Sequence, residues 1–377
     1  MWLDQPRNPN SPLAGLKVLE LARVLAGPWA AQTLSDLGAD VIKVESPDGD
    51  GTRKWGPPWI EHDGERAAAY YHATNRGKRS ITADFRLDSD LDRVRRLAAE
   101  ADVVIENFKT GALAKFGLDY PSLSATNPRL VYCSITGFGQ TGPRAHEAGY
   151  DFVVQGMSGF MALTGEPDGQ PMKMGVSISD LTCGLYSTIG IQAALAMRER
   201  TGRGQHIDMA LLDCSVGLLA SQAMHYLVTG ENPPRMGNEH AQVSAYGVFP
   251  VKDGQIVLAP ANDGLFRKLL TVLGRDDLLA DSRFATNESR LKNRTALDGI
   301  IAEATGQRSL EEMLSACNAV GIPAGPIHAI DQVFADPQVV ARGMRVNLDG
   351  VPGVRSPFTF SDAELALDRP SPVHERG

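Results

Sequence analysis

The sequence predicts an α/β protein with a large parallel-sheet domain followed by a smaller α/β domain. Short β-branched segments alternate with helical segments from residue 17 onward, which is the pattern of strand–helix–strand units. The chain has 377 residues, more than the roughly 250–300 at which single hydrophobic cores stop growing. A polar stretch rich in proline and glycine, GENPPRMG at residues 230–237, has the composition of a linker. Two domains are therefore expected.

The large domain is predicted to be doubly wound, with parallel strands joined by crossover helices. Its elements are expected in this order: strand 17–21, helix 28–37, strand 40–45, helix 88–101, strand 103–106, helix 120–126, strand 130–134, a helix from residue 181, strand 205–211 and helix 215–229. We place this domain at residues 1–225.

A linker at residues 226–244 is predicted to lead to a small α/β domain at residues 245–332. Asp253-Gly254 supplies the positive φ of a tight turn and predicts a hairpin. The elements expected here are strands 246–251 and 255–259, helices 265–273 and 310–320, and a strand at 322–327. Residues 333–377 are expected to return to the large domain, with a helix near residues 337–342.

Composition and charge favour a small molecule as the partner. Hydrophobic residues make up 43% of the chain and charged residues 22%, which is ordinary for a soluble globular protein. The formal net charge of -8 disfavours nucleic acid and anionic membranes as partners. The one long uncharged stretch, residues 181–197, is short of the ~20 apolar residues that span a bilayer. We interpret it as a buried core helix.

The cysteines and histidines indicate neither a metal site nor a disulfide framework. The four cysteines lie far apart without a C-x-x-C pair, and the histidines form no H-x-x-x-H or H-E-x-x-H pair. Residues 1–12 lack the cationic and apolar regions of a signal peptide. We therefore expect a cytoplasmic location and no bound metal.

The turn at Ala26-Gly27-Pro28 joins the first predicted strand to the first helix. At such turns α/β sheets present helix N-terminal N–H groups to anions, so a phosphate or nucleotide is expected there. The dinucleotide fingerprint G-x-G-x-x-G and the G-x-x-x-x-G-K-[ST] phosphate loop are both absent from this turn, which disfavours NAD and ATP. The simplest alternative is that Gly27 and Pro28 only begin a helix.

Asp180 directly precedes the long uncharged helix and is predicted to be its N-cap. There the helix N-terminus favours the ionised carboxylate, and an ionised, poorly hydrated carboxylate is a usable nucleophile. The alternative is that Asp180 caps the helix and does nothing else. Asp151, at the start of a helical stretch to residue 162, is interpreted as the cap of its own helix. No G-x-S-x-G nucleophile elbow occurs.

An ordered set of short segments runs along the chain: residues 22–28 (ARVLAGP), 37–45 (LGADVIKVE), 75–80 (NRGKRS), 106–108 (ENF), 137–143 (GFGQTGP), 179–180 (SD), 201–205 (TGRGQ) and 321–326 (GIPAGP). In this order they resemble the class III coenzyme A transferase family, which includes formyl-CoA transferase and carnitine CoA-transferase. The resemblance extends from about residue 13 to about residue 360. The ordered set is far more specific than any one segment.

The resemblance implies a Rossmann-like large domain closed by a small domain, two chains interlinked as a homodimer, and coenzyme A as a substrate without a permanently bound cofactor. Asp180 falls on the family's nucleophile. Positions that match CoA contacts in the family are Val24, Leu25, Ala26, Ala83, Asp84, Phe85, Arg86, Asn107, Phe108 and Gly137, with Lys109 and Lys115 placed near the CoA phosphates. Lysine suits phosphate as a mobile point charge.

The implied reaction moves CoA between carboxylic acids. Attack of Asp180 on an acyl-CoA gives an acyl-aspartyl anhydride and CoA thiolate. The thiolate then forms an aspartyl-CoA thioester and frees the donor acid, and the acceptor acid reverses these steps. Positioning contributes up to ~7–11 kcal/mol to such a reaction. Backbone N–H groups near the helix start are expected to stabilise each oxyanion.

Three departures from the family pattern stand out. Ser46 occupies a position where some members carry an arginine for the CoA adenosine phosphate. Residues 236–240 (MGNEH) are a short counterpart of the glycine-rich loop that shields the nucleophile in formyl-CoA transferase. The sequence ends with residues 374–377 (HERG), so the carboxyl-terminal helix that is usual in the family is not expected in it.

Residues 52–58 (TRKWGPP) and 132–137 (YCSITG) look most like members that use dicarboxylates such as succinate, glutarate or itaconate. We take Arg53 as a candidate for binding the second carboxylate, because guanidinium fits carboxylate with two hydrogen bonds; the alternative is an exposed loop charge. A rival function is α-methylacyl-CoA racemisation, which Tyr150 disfavours because it replaces the expected histidine base. Another is a non-catalytic CoA-binding protein.

Overall fold

The computed structural model describes residues 2–375. Its strands are β1 (Lys17–Glu20), β2 (Asp40–Glu45), β3 (Trp59–His62), β4 (Glu65–Ala68), β5 (Arg79–Thr82), β6 (Val103–Glu106), β7 (Val131–Thr136), β8 (His206–Ala210), β9 (Gly247–Val251), β10 (Gly254–Leu258), β11 (Ala324–Pro326), β12 (Arg345–Leu348) and β13 (Val351–Val354).

The helices are α1 (Ala26–Asp36), α2 (Ala69–His72), α3 (Asp88–Glu100), α4 (Tyr120–Thr126), α5 (Asp151–Met157), α6 (Phe160–Leu163), α7 (Ile178–Thr201), α8 (Leu211–Gly217), α9 (Ala220–Thr229), α10 (Asp263–Leu273), α11 (Asn287–Lys292), α12 (Arg294–Thr305), α13 (Leu310–Val320), α14 (Ile330–Ala335) and α15 (Pro337–Ala341).

The chain forms two compact units. The first comprises residues up to Met161, Lys173–Asn232 and the segment from Pro337 onward, and the second comprises Ala162–Met172 and Pro233–Asp336. The first unit contains a six-stranded parallel sheet in the order β5-β2-β1-β6-β7-β8. The predicted α/β fold with a parallel sheet is therefore confirmed. Because all six strands run the same way, their carboxyl ends lie along one edge, where ligands of such sheets bind.

Helices cover both faces of this sheet. Alternate residues of a strand point to opposite faces, so Val18 of β1 joins a core cluster with α1 and α7, whereas Leu19 joins a second cluster with α3 and α4. All six residues of β2 are buried, as expected for a strand covered on both sides. The unit is thus doubly wound, as the alternation of elements predicts.

Three features of the first unit differ from the predictions. The strand β5 and the hairpin of β3 and β4 are not among the predicted elements. The predicted helix at residues 215–229 is instead two helices, α8 and α9, bent by 75°. The predicted buried helix at residues 181–197 belongs to α7, but one face of α7 is exposed, including Leu185 at 45% and Ile189 at 62% of their full accessibility.

The second unit is a three-stranded antiparallel sheet, in the order β11-β10-β9, with helices packed against it. The predicted hairpin is β9 and β10, whose register pairs Val251 with Gly254. Its core is a separate cluster that includes Phe249, Leu269 and Leu297.

In the described part of the chain, no single helix is both long and apolar enough to cross a membrane. The bent pair α8 and α9 meets that test by length and composition only when the two are taken together.

Candidate active site

Asp180 lies in the first turn of α7, which begins at Ile178. The residue before the helix is Ser177, and its side chain makes no capping hydrogen bond. The prediction that Asp180 is the N-cap is therefore wrong, because the helix begins at Ile178, three residues before the predicted start at residue 181. The Asp180 side chain therefore does not cap α7, and capping was the simplest alternative to a role in catalysis.

The cap of α7 comes instead from Asp151, which belongs to α5. The Asp151 carboxylate accepts hydrogen bonds from the backbone N–H of Ser179 at 2.9 Å and from that of Asp180 at 3.4 Å. It also accepts one from the Gln155 side chain at 2.7 Å. The prediction that Asp151 caps its own helix is wrong, since Tyr150 precedes α5 and Asp151 points to another helix. Its charge thereby lies beside Asp180.

A glycine pair brings Asp151 to this position. A Cβ atom added to Gly137, just after β7, would lie 2.5 Å from the Cα of Gly149, so the two backbones approach more closely than side chains allow. The segment leading to Asp151 therefore passes directly beside the carboxyl end of the sheet. Gly137 has this packing role in the structure, and its contact with CoA stays a prediction.

The pKa of Asp180 is raised to about 7, first because burial disfavours the charged carboxylate and second because Asp151 repels it. No cation pairs with Asp180 within residues 2–375. The expectation that the helix N-terminus keeps Asp180 ionised is thus corrected, because burial and a neighbouring carboxylate outweigh it. Near neutral pH a large fraction of the molecules carries a poorly solvated carboxylate, which is a reactive state.

The N–H groups at the start of α7 already have acceptors. The Ile178 N–H donates to the Val176 carbonyl at 2.8 Å, and those of Ser179 and Asp180 point to Asp151. These acceptors compete with an oxyanion for the N–H groups, and oxyanion stabilisation stays a prediction. Tyr70 is a nearby polar group that the sequence did not indicate: burial and the charge of Asp180 raise its pKa, and its hydroxyl is hydrogen-bonded to Ser177.

Three of the predicted CoA-binding residues lie where the loop after β1 leads into α1. Val24 has a φ of 73°, in the left-handed region that β-branched residues rarely adopt. Leu25 and Ala26 are buried, so little of either side chain is open to a ligand. Asn107 fixes this loop from β6: its side chain accepts a hydrogen bond from the Arg23 N–H at 2.9 Å and donates one to the Arg23 carbonyl at 2.6 Å.

A cavity of 140 Å³ opens beside this loop. It is lined by Leu21, Arg23, Val44, Glu45, Ser46, Pro47, Ala83, Asp84, Phe85 and Phe108. The structure thus brings together four of the predicted CoA-binding residues. The guanidinium of Arg23 lies 4.8 Å from the centre of the Phe108 ring, and Phe85 stacks on Phe108 with ring centres 6.4 Å apart. Such a cavity is suited to a flat aromatic group.

The predicted cations lie outside the cavity lining. Arg86 has a side chain 85% exposed and pairs with Asp84 at 2.6 Å. Lys109 is exposed, and the ammonium of Lys115 lies 4.7 Å from the centre of the Phe116 ring. All three side chains are exposed, and that of Arg86 is held by Asp84.

Arg53 is buried rather than exposed, so the alternative of an exposed loop charge is wrong. Its guanidinium donates to Glu45 at 2.7 and 2.8 Å, to Glu65 at 3.0 Å, to the Tyr71 hydroxyl at 2.6 Å and to the Pro372 carbonyl at 3.1 Å. Binding of a substrate carboxylate by Arg53 stays a prediction. These hydrogen bonds support a structural role for Arg53 as the alternative.

The profile of "CoA-transferase family III" matches residues 13–376. The chain belongs to this family. The succinate–glutarate CoA-transferase of Agrobacterium fabrum is 56% identical and aligns over 98% of this chain and 94% of the relative. The succinyl-CoA:glutarate CoA-transferase of Mus musculus is 38% identical over 97% of this chain and 86% of the relative.

The crystal structure of a CAIB/BAIF family protein from Brucella suis superposes on this family III CoA-transferase with a TM-score of 0.90, at 60% sequence identity and 97% coverage of both chains. The predicted family and the predicted CoA-transferase activity are confirmed, with CoA thioesters as substrates. The relatives named here are transferases, which favours transfer over the racemase and binding-protein alternatives. Within residues 2–375, no group of three or more histidine, cysteine or acidic side chains could hold a metal ion.

Proposed function

We propose that this CoA-transferase moves CoA from succinyl-CoA to a dicarboxylic acid such as glutarate, with Asp180 as the covalent nucleophile. The observation that carries the proposal is the state of Asp180, a half-buried carboxylate whose pKa is raised to about 7 and which no cation neutralises within residues 2–375. The names of two relatives support the choice of succinate and glutarate.

The reaction proceeds by acyl exchange on Asp180. A carboxylate oxygen attacks the thioester carbonyl, the C–S bond breaks, and CoA thiolate leaves an acyl-aspartyl anhydride. The thiolate then attacks the Asp180 carbonyl and releases the donor acid, so that CoA is held as an aspartyl thioester. The acceptor carboxylate attacks that thioester and the thiolate attacks the resulting anhydride, which yields the new acyl-CoA and restores Asp180.

We propose that the adenine ring of CoA binds in the 140 Å³ cavity between Phe108 and the segment Ala83–Phe85. The backbone of Val24, Leu25 and Ala26 would then face the phosphate and pantetheine part. The exposed side chains of Arg86, Lys109 and Lys115 would supply charge for the phosphates, because exposed cations gain most from a partner that carries several negative charges.

We also propose that the chain acts as a homodimer, in the interlinked form that the resemblance implies. An apolar stripe runs along the exposed face of α7 through Leu185, Ile189 and Met197, and α9 exposes Leu227 at 72% and Val228 at 76%. Exposed apolar surface of this extent is characteristic of an interface. We expect a second copy of the chain to cover this apolar surface. Sedimentation at equilibrium should then give twice the mass of the chain. A monomer at working concentrations would contradict this assignment.

We propose a cytoplasmic location, because all four cysteines are free and buried, which suits a reducing compartment.

The experiment that tests the proposed chemistry is mass spectrometry of the intact chain after incubation with succinyl-CoA, followed by peptide mapping. We expect an adduct of a succinyl group or of CoA on the peptide containing Asp180, and none in Asp180→Asn. A binding protein would retain CoA without an adduct in either form. A racemase would exchange the hydrogen next to the thioester of a 2-methylacyl-CoA, and that exchange without transfer would overturn the proposal.

A further inference from the structure

A group of charged side chains lies buried beneath the loop between β1 and α1. We call it the buried ion cluster: Glu20, Lys43, Glu45, Asp50, Arg53 and Lys78. Its three acids and three bases balance one another, and the side chains of Glu20, Lys43, Asp50 and Lys78 are completely buried. Charges this deep are expensive to desolvate and require many polar contacts, so their placement calls for a reason.

Two lysines of the cluster hold the backbone at both ends of the loop. The Lys43 ammonium donates to the carbonyl of Ala22 at 2.8 Å and pairs with Glu20 at 3.2 Å and Asp50 at 3.0 Å. The Lys78 ammonium donates to the carbonyl of Pro28 at 3.0 Å and pairs with Glu20 at 2.7 Å. The loop is thus anchored where it leaves β1 and where α1 begins.

An acid of the cluster holds the strained residue between these anchors. The N–H of Val24 points to the Asp50 carboxylate at 3.4 Å, and the other oxygen of Asp50 is fixed by the backbone and hydroxyl of Thr52 at 3.0 and 2.8 Å. Val24 is the only β-branched residue with a left-handed φ among residues 2–375. Because valine resists this conformation, contacts outside the loop must impose it.

The loop also touches the helix that carries the nucleophile. A Cβ atom added to Gly184 would lie 2.6 Å from the carbonyl oxygen of Ala26, so α7 and the start of α1 are in backbone contact one turn after Asp180. A displacement of the loop would therefore change where a bound thioester lies relative to the Asp180 carboxylate.

We propose that Asp50 and Lys43 are positioning residues for acyl-CoA, which hold the loop at residues 22–28 in its strained, CoA-binding conformation. This inference rests on the proposed CoA site and extends it to side chains that never touch the ligand. Apolar residues could fill the same space, but they would leave the Ala22 carbonyl and the Val24 N–H without partners in a buried setting. The charged side chains of Lys43 and Asp50 therefore set the backbone conformation of the loop.

The test is equilibrium binding of CoA itself, measured by calorimetry, which does not depend on catalysis. Asp50→Asn keeps the shape of the side chain but turns one acceptor into a donor, facing the Val24 N–H and the Lys43 ammonium. We expect CoA binding to weaken about 10-fold or more. The matched control is Asp36→Asn, which removes an equally buried carboxylate paired with Arg76 at 2.6 Å at the far end of α1. This control should lower the thermal midpoint but leave CoA affinity within about twofold.

A double-mutant cycle separates positioning from general stability. Glycine adopts a φ of 73° without strain, so in a Val24→Gly background Asp50→Asn should weaken CoA binding less than about 3-fold. If Asp50→Asn does not fold, Thr52→Val, which removes the hydroxyl hydrogen bond to Asp50 and leaves only the one from the Thr52 backbone N–H, should still weaken CoA binding. Wild-type affinity in Asp50→Asn or Thr52→Val, an equal loss in Asp36→Asn, or strict additivity with Val24→Gly would each overturn the proposal. Loss of covalent labelling at Asp180 with CoA binding intact would instead count only against the proposed chemistry.

Discussion

Two groups of acidic side chains lie at the same sheet edge, and the pKa values of Glu45 in one and Asp180 in the other are shifted in opposite directions. In the buried ion cluster, burial alone would raise the pKa of Glu45, but the hydrogen bond from Arg53 and the charges of Lys43 and Arg53 lower it to about 2. At the start of α7, burial and the neighbouring Asp151 raise the pKa of Asp180 to about 7. The first group is neutralised by cations and the second is not.

This difference in pKa distinguishes carboxylates that hold the backbone in place from the carboxylate that reacts. A carboxylate matched by a cation and several donors is stable in its charged form and can fix a backbone, but its electron pairs are committed. A carboxylate left beside another acid, without a cation, is unstable as an anion and gains by forming a covalent bond. A raised pKa of this kind is expected at functional sites.

The largest expected effect is on catalysis. Asp180→Asn should reduce kcat by at least ~10³-fold, because the amide cannot form the anhydride. A steady-state assay of CoA transfer from succinyl-CoA to glutarate measures this. Asp213→Asn, another acid in the first turn of a helix, is the control and should keep kcat within about twofold. A kcat near the wild-type value in Asp180→Asn would remove Asp180 from the mechanism.

The next largest effect is on the stability that the buried ion cluster confers. Lys43→Met leaves Glu20 and Asp50 buried with one cation fewer, and we expect the free energy of unfolding to fall by ~3–5 kcal/mol. Urea denaturation followed by tryptophan fluorescence reports it. Lys17→Met removes a surface pair with Glu100 at 3.7 Å and should change the same quantity by only ~0–1 kcal/mol. Equal effects of the two substitutions would mean that burial of the cluster is energetically unimportant.

In contrast, neutralising Asp180 should stabilise the protein. The unfolded chain ionises Asp180 at the ordinary pKa of aspartate, whereas the folded chain retains the proton until about pH 7. The wild type therefore loses stability as the pH rises through this window, and an asparagine does not. Asp180→Asn should be more stable by ~1–3 kcal/mol at about pH 8, with a smaller gain at about pH 5. Lower stability of the variant at both pH values would contradict the raised pKa.

The smallest expected effect is on the pH dependence of kcat/KM, and it tests the role of Asp151 beside Asp180. Asp151→Asn removes the second cause of the raised pKa, so the acidic limb of kcat/KM should move to lower pH by about half to one pH unit. Gln155→Ala removes a hydrogen bond to Asp151 but keeps its charge, and it should leave the limb near the wild-type position. A limb that moves equally in both variants would indicate a change in helix capping rather than in charge.

Sequence patterns predicted the fold where each element is encoded locally. Asp40–Glu45 contains three β-branched residues and Val103–Glu106 begins with three, and the predicted bounds of both strands agree with the structure. For Leu310–Val320, capping by Ser309 and Gly321 fixes both helix ends. The short strand Arg79–Thr82 has a polar sequence and pairs only with β2, so nothing local marks it. The hairpin of β3 and β4 did carry a signal, the turn Asp63-Gly64 with φ of 48° and 75°.

The site was predicted only in part, because its decisive contact is not local. Asp180 and Phe108 lie in the ordered motifs, and the cavity residues Ala83 and Phe85 follow from the family resemblance. The contact between Asp151 and the start of α7 joins residues 28 positions apart, through a close approach of Gly137 to Gly149 that no periodicity reveals. The pKa of Asp180 depends on that contact and on burial, so the sequence predicted its direction wrongly.

In the free enzyme, the Asp180 carboxyl group should stay protonated until near-neutral pH. Infrared difference spectra of wild type minus Asp180→Asn, recorded from about pH 5 to about pH 9, observe the carboxyl group directly. We expect a protonated carboxyl band that disappears with a midpoint near pH 7 as the carboxylate band grows. A carboxylate band already complete at about pH 5 would contradict it.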